Sequence, residues 1–254
     1  MTDQARAPEP LRDDITPFIG ATMLVARTSL RCLTRVRLDG ALDAIPRSGP
    51  LIVAANHLSN ADGVLLGGWL TPALGRRVHW LGKREMVEWP VLGGAVRAIS
   101  VHPVDRSGTD VEAFRLAERI LGEGHVLIVF PEGTRSPSGS LGEAKDGLAL
   151  LAMRTGARIL PVGITGTDRF WPKGSYPHPG GHIFLRVGGS FTVADIVPAG
   201  TDRKTAKRLA TEGIMGRIAA LLPVAKRGAY AEAAAGLAGG TAGEGAGEGS
   251  ATVD

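Results

Sequence analysis

Three short, unbroken apolar runs constrain this chain most: Leu51 to Ala55, Val126 to Phe130 and Ile159 to Ile164. A strand that is apolar at consecutive positions buries both of its faces, and a sheet covered on both faces is the layered arrangement in which helices connect parallel strands. The intervening segments fit that scheme. Asp110 to Leu121 sets Val111, Phe114, Leu116, Ala117 and Ile120 along one side, and Gly142 to Thr155 and Asp202 to Leu222 are also predicted helices. Thr34 to Leu38 alternates and stops at Asp39-Gly40, a turn signal, which predicts a further strand. The expected class is α/β, a single layered domain.

At 254 residues, 44% hydrophobic and 21% charged, the chain has enough apolar material for one core without a disulfide or metal staple. Its lone cysteine, Cys32, has no internal partner, so nothing indicates an oxidising compartment and a cytoplasmic location is favoured. Residues 1–13 read as a loose polar leader, residues 14–36 as an amphipathic helix and residues 37–227 as the folded domain. Residues 228–254, rich in Gly, Ala and Glu, are expected to be a disordered tail, because almost nothing large and apolar is available to offset chain entropy.

In the N-terminal helix, Phe18, Ala21, Val25 and Cys32 gather on one side, while Arg27 and Arg31 share the other. Two placements are open: a surface helix packed on the core, with Cys32 as packing, or an interfacial helix with its arginines toward lipid headgroups. No signal peptide is expected. The longest apolar-rich stretch, Ile15 to Ala26, falls short of the roughly 20 residues a membrane-spanning helix needs. A net charge of +4 suits an anionic surface or ligand, and no nucleic-acid partner is expected.

Two polar blocks follow directly on two of the predicted buried strands, where open α/β sheets place their ligands. The first is Asn56-His57-Leu58-Ser59-Asn60-Ala61-Asp62. His57 is a candidate general base and Asp62 its orienting carboxylate, provided that His57 lies in the turn and Asp62 in the following helix, since five residues is a poor helical repeat. The second is Phe130-Pro131-Glu132-Gly133-Thr134-Arg135-Ser136. Here Glu132 can accept hydrogen bonds, Gly133 permits close backbone approach, and Arg135 supplies a planar fork for phosphate or carboxylate. Two basic stretches, Lys83-Arg84-Glu85-Met86 and Val104-Asp105-Arg106, are either further anion contacts or solvated charge. A fourth block, Leu160 to Gly166, carries Pro161 inside an apolar run and is expected at a sheet edge or strand end, where it could form a pocket wall.

The remaining histidines, His79, His102, His125, His178 and His182, make no helix-spaced pairs with carboxylates, so no metal site is expected. Trp80, Trp89 and Trp171 fit either core or interfacial positions.

In this order and spacing the four blocks resemble the glycerolipid acyltransferase family, in particular the 1-acyl-sn-glycerol-3-phosphate (lysophosphatidate) acyltransferases, over about Arg37 to Leu222. The resemblance implies an acyltransferase domain with a central mixed sheet flanked by helices, preceded by the amphipathic helix. It also implies an acyl-CoA or acyl-carrier-protein donor, a lysophospholipid acceptor, no covalent acyl-enzyme and no cofactor. His57 and Asp62 take the catalytic roles, and Arg106, Glu132, Gly133, Thr134, Arg135, Lys83 and Pro161 the substrate site. The enzyme would work peripherally on the inner face of the cell membrane, against its anionic surface. Two rivals stand beside this reading: the same chemistry on another acceptor lipid, and a non-catalytic lipid- or acyl-carrier-binding module.

Overall fold

The computed structural model describes residues 11–83, 99–104, 111–172 and 174–240, and elements are numbered over these. The strands are β1 (Arg35–Gly40), β2 (Leu51–Ala55), β3 (Val78–Lys83), β4 (Val101–Val104), β5 (Val126–Val129), β6 (Arg158–Thr165) and β7 (His182–Val187). They form one seven-stranded sheet in the order β1-β7-β6-β2-β5-β3-β4. Every neighbouring pair is parallel except β6 and β7, so the sheet is mixed.

The predicted double burial is present. Leu51, Val53 and Ala55 of β2 face one apolar layer and Ile52 and Ala54 the other. The first layer is closed by α1 (Pro17–Leu33) and by α2 (Ala61–Leu65), which runs through a π turn (Leu66–Leu70) into α3 (Thr71–Leu74). The second is closed by α4 (Val111–Gly122), α5 (Gly147–Thr155) and α7 (Arg203–Ala220); a short α6 (Thr167–Phe170) follows β6. Local chemistry sets the helix limits. The Asp202 carboxylate accepts from the N–H groups of Lys204 and Thr205 to start α7, and Gly156 in a left-handed conformation ends α5. Helix α5 begins five residues later than its apolar pattern suggests, because the backbone from Gly142 to Lys145 is bonded elsewhere.

Four expectations are corrected. The tail does not start at Gly228: a turn (Gly228–Tyr230) leads into α8 (Ala231–Gly240), whose Ala234 is buried against the second layer and whose Ala233 meets Gly216 of α7. Small residues let two backbones approach closely, a route to burial that a count of large side chains overlooks. Residues 241–254 lie outside the described residues. The leader is not loose up to Asp13, since Leu11 packs on the second layer and Asp13 bonds Arg76. Pro161 is not at an edge but buried within β6, between β2 and β7. Its carbonyl accepts from Gly188 N, so its missing N–H faces the point where the chain after β7 leaves register, and the ladder loses nothing there.

The fourth correction concerns α1. Thr16 caps it and Ile19 and Leu30 bury, but Phe18, Leu24 and Val25 are 51%, 65% and 65% exposed, and Cys32 is exposed too. The arginines turn toward the body, with the Arg27 and Arg31 guanidinium carbons 5.5 and 6.0 Å from the centre of the Trp69 ring. Cation–π attraction, together with the Arg27 stem packed over Gly68, draws the guanidinium groups toward Trp69 while Arg31 itself stays exposed. The apolar side is left facing outward.

The strands' N-terminal edge carries a feature that no sequence spacing revealed. His79 and His102 stack, with His79 Nδ1 and His102 Nε2 2.9 Å apart, and the His125 ring lies 5.1 Å from that of His79. His79 Nε2–H donates to Arg12 O at 3.2 Å, while Arg76 donates to Asp13 and to Gly49 O, strapping the N-terminal segment to the sheet. Burial, then the neighbouring His102 and His125, lowers His79 from 6.5 to about 4. The unfolded chain therefore takes up this proton as pH falls below 6.5 and the folded chain only near 4, so stability present above pH 6.5 is lost as pH falls through that window. Urea unfolding between pH 7.5 and 4 should show a midpoint falling with acid in the native protein and a shallower fall in His79→Gln; equal slopes would count against this account.

Candidate active site

The site begins with register. Ala54 of β2 pairs with Val129 of β5 in parallel, so the chains leave both strands at the same edge of the sheet and the two polar blocks meet there. Asn56 anchors the first block: its side chain donates to Ile164 O at 2.9 Å and accepts from Ile164 N at 2.7 Å, locking the exit of β2 onto the end of β6.

His57 then sits in the turn and Asp62 in the first turn of α2, the arrangement that their spacing requires. Asp62 is fully buried. Its Oδ2 accepts from His57 Nδ1 at 2.7 Å and from the N–H groups of Leu58 and Ser59 at 2.6 and 2.8 Å, wrapping the turn around one oxygen. With Nδ1–H donated to the carboxylate, Nε2 keeps its lone pair. The His57 side chain is 22% exposed, enough to present that nitrogen to a substrate.

The second block surrounds the same histidine. Phe130 stacks on its ring at 4.1 Å and 15° between planes. Glu132 Oε1 accepts from His57 N at 2.7 Å, and Ser136 N donates to His57 O at 2.8 Å. The other oxygen of Glu132 accepts from Gly142 N at 2.8 Å, so both are taken by backbone donors. Glu132 is 5% exposed; burial raises its carboxyl above the usual range, and the hydrogen bonds from His57 and Gly142 oppose that rise. The remaining residues of the block point elsewhere. Thr134 is exposed, and Arg135 donates from Nη1 to Asn60 Oδ1 at 2.9 Å, which joins the two blocks at the surface.

Gly133 has φ +68°, and the end of the Lys145 side chain lies over it: an added Cβ would come 3.0 Å from Lys145 Cε and 3.3 Å from Nζ. Lys145 N donates to Pro131 O at 2.9 Å, which fixes this approach.

Thus His57, Asp62, Glu132, Gly133, Thr134 and Arg135 lie at one end of the sheet, where β2 and β5 end. Lys83 closes β3, its backbone paired with Val104 of β4, at the same edge of the sheet. Pro161 is buried beneath, in line with Ala54. Arg106, with Arg84 and Trp89, lies outside the described residues. Sequence reasoning missed Asn56, Asn60, Gly142 and Lys145. Asn56 and Asn60 stand in the first block and could have been found as its remaining polar members, whereas nothing local marks Gly142 or Lys145. Among the described residues no group of three or more His, Cys, Asp or Glu is placed to hold a metal ion.

Comparison with known proteins identifies the family. The acyltransferase family pattern matches residues 37–165, from β1 to the end of β6. A chloroplastic 1-acyl-sn-glycerol-3-phosphate acyltransferase of Arabidopsis thaliana is 29% identical over 170 residues, 66% of this chain and 46% of that protein. The 1-acyl-sn-glycerol-3-phosphate acyltransferase of Pseudomonas aeruginosa is 29% identical over 150 residues, 58% of this chain and 56% of that one. The chain thus spans about half the length of the curated relatives it matches. The crystal structure of the 1-acyl-sn-glycerophosphate acyltransferase from Thermotoga maritima superimposes with a TM-score of 0.60 at 28% identity, covering 77% of this chain and 76% of that one. Family pattern, fold and the juxtaposed blocks agree, and the chain belongs to the acyltransferase family.

Proposed function

We propose that this protein transfers an acyl chain from a thioester donor, acyl-CoA or acyl-carrier protein, to the free hydroxyl of a lysophospholipid, with lysophosphatidate as acceptor and phosphatidic acid as product. The observation that carries the reading is the 2.7 Å contact of His57 Nδ1 with buried Asp62, beside the Arg135 turn. His57 Nε2 takes the hydroxyl proton as the acceptor oxygen attacks the thioester carbonyl. Asp62 stabilises the imidazolium, which returns the proton to the departing thiolate. This base removes the need for a covalent acyl-enzyme. Ser59 fits no nucleophilic role either, being buried with its hydroxyl donated to Trp171 O at 2.7 Å.

The acceptor's phosphate is assigned to Arg135, with Thr134 and Gly133 in the same turn, and to Lys83 and Arg106 as the family resemblance implies. An arginine fork suits a phosphate dianion. The names of the Arabidopsis and Pseudomonas relatives, both 1-acyl-sn-glycerol-3-phosphate acyltransferases, support this choice of acceptor.

The outward apolar side of α1 supports peripheral attachment to a lipid surface. Among the described residues no helix is long and apolar enough to cross a membrane. Phe18, Leu24 and Val25 would enter the acyl boundary, and exposed Arg35 and Arg37 would follow for anionic headgroups. The inner face of the cell membrane, where acyl-CoA and acyl-carrier protein are available, is the proposed location.

Thiol release by the purified protein, with acyl-CoA or acyl-carrier-protein donors and lysophosphatidate, tests the reaction. His57→Ala should lower turnover about 10²–10⁴-fold with folding intact, and near-normal turnover in that variant would sink the mechanism. Absence of release by the native protein with every donor and acceptor would leave a binding module. Arg135→Ala should raise KM for lysophosphatidate about tenfold or more, the loss of one hydrogen bond to a charged group, and should leave a phosphate-free monoacylglycerol little affected. Leu24→Asp with Val25→Asp should abolish sedimentation with phosphatidylglycerol vesicles; unchanged sedimentation would show that α1 is not the contact.

A further inference from the structure

The second block divides into two sets by the direction its residues face, and the division assigns Glu132 a role other than substrate contact. Phe130, Glu132 and Ser136 all touch His57, at its ring, its N–H and its carbonyl. Gly133, Thr134 and Arg135 touch none of these points. A phosphate-binding role for Glu132 meets two physical objections. A carboxylate repels a phosphate, and both of its oxygens already carry short hydrogen bonds from backbone donors within the protein.

From this geometry, and resting on the acyl-transfer reading above, we infer that Glu132 is a positioning residue that holds the general base His57 in place, and that Gly142 is the fixed seat against which it does so. Asp62, in the helix that follows the turn, sets the rotation of the imidazole, but its bonds run only to residues of the same first block and do not tie that block to the second. Glu132 links the turn to a separate segment. That segment is held independently of the second block: Leu141 N donates to Lys226 O at 2.9 Å and Ala144 N to the Tyr230 hydroxyl at 3.0 Å. Lys226, at the end of the expected domain, and Tyr230, in the supposed tail, therefore brace the seat of Glu132. Gly142 has no room for a side chain, since an added Cβ would fall 2.8 Å from Glu132 Oε2.

The inference predicts a split between kinetic constants. Glu132→Gln keeps the shape but cannot accept both N–H groups, and should lower kcat by up to about 10²-fold, the scale on which misplacement of a reacting group by about 1 Å acts. KM for lysophosphatidate should stay within about twofold, the mark of a group that does not bind substrate. Gly142→Ala, at a backbone position distinct from the phosphate-facing residues, should reproduce the same split by displacing the carboxylate. A second readout needs no turnover: the downfield proton resonance of His57 Nδ1–H, bonded to Asp62, should shift in both variants and stay unchanged in Arg135→Ala. The inference is overturned if Glu132→Gln raises KM with kcat preserved, or if Gly142→Ala leaves both kcat and the resonance unaltered. Should Glu132→Gln fail to fold, Gly142→Ala and the resonance decide alone. Native protein that releases no thiol would refute the acyl-transfer reading, while the resonance would still report whether Glu132 positions His57.

Discussion

Parallel pairing of β2 with β5, Ala54 opposite Val129, is the constraint on which the site depends. Two loops far apart in sequence leave adjacent central strands at the same edge, and each completes the other. The first brings the base and its carboxylate. The second brings the ring that packs the base, the donor and acceptor that hold its peptide, and the arginine at the surface. A shift in this register would separate His57 from Glu132 and Ser136, even with all local conformations intact. The buried faces of β2 make such a shift costly, because every residue of the strand is packed against one layer or the other.

Within that frame the most demanding element is a buried charge. Asp62 is wholly inaccessible, and an unpaired carboxylate in such a place would cost on the order of several kcal/mol. The fold offsets this with three donors on one oxygen, two of them from the turn that carries His57. The same bonds that stabilise the charge therefore shape the turn that presents the base. Glu132 repeats the device on the other side, accepting two backbone N–H groups where burial disfavours its ionised form. Both carboxylates thus order backbone, and only Asp62 also touches the imidazole.

The two edges of the sheet are used differently. The C-terminal edge of the parallel strands carries the candidate site. The opposite edge carries the His79, His102 and His125 cluster and the Leu11 to Asp14 strap, which leads into α1. The placement of α1 thus depends on contacts at the end of the sheet remote from His57. Arg27 and Arg31 on Trp69 complete that placement and leave the apolar side of the helix facing outward.

Much of this was readable from residues alone. Continuous apolar runs identified β2, β5 and β6, because a strand buried on both faces has no polar alternation to hide it. The two polar blocks stood at the strand ends where the structure has them, and the five-residue spacing of His57 and Asp62 already required a turn followed by a helix. Tertiary structure decided the rest. The outward side of α1 depends on Trp69, distant in sequence, and the order of residues 228–240 depends on Gly216 and Leu141, which composition does not register. The histidine cluster comes from β3, β4 and the residue that precedes β5, so no spacing along one segment could show it. Residue types specify which groups are available for chemistry, but which face they turn, and whether Glu132 meets a substrate or a backbone N–H, is set by contacts between segments that the chain brings together only when it folds.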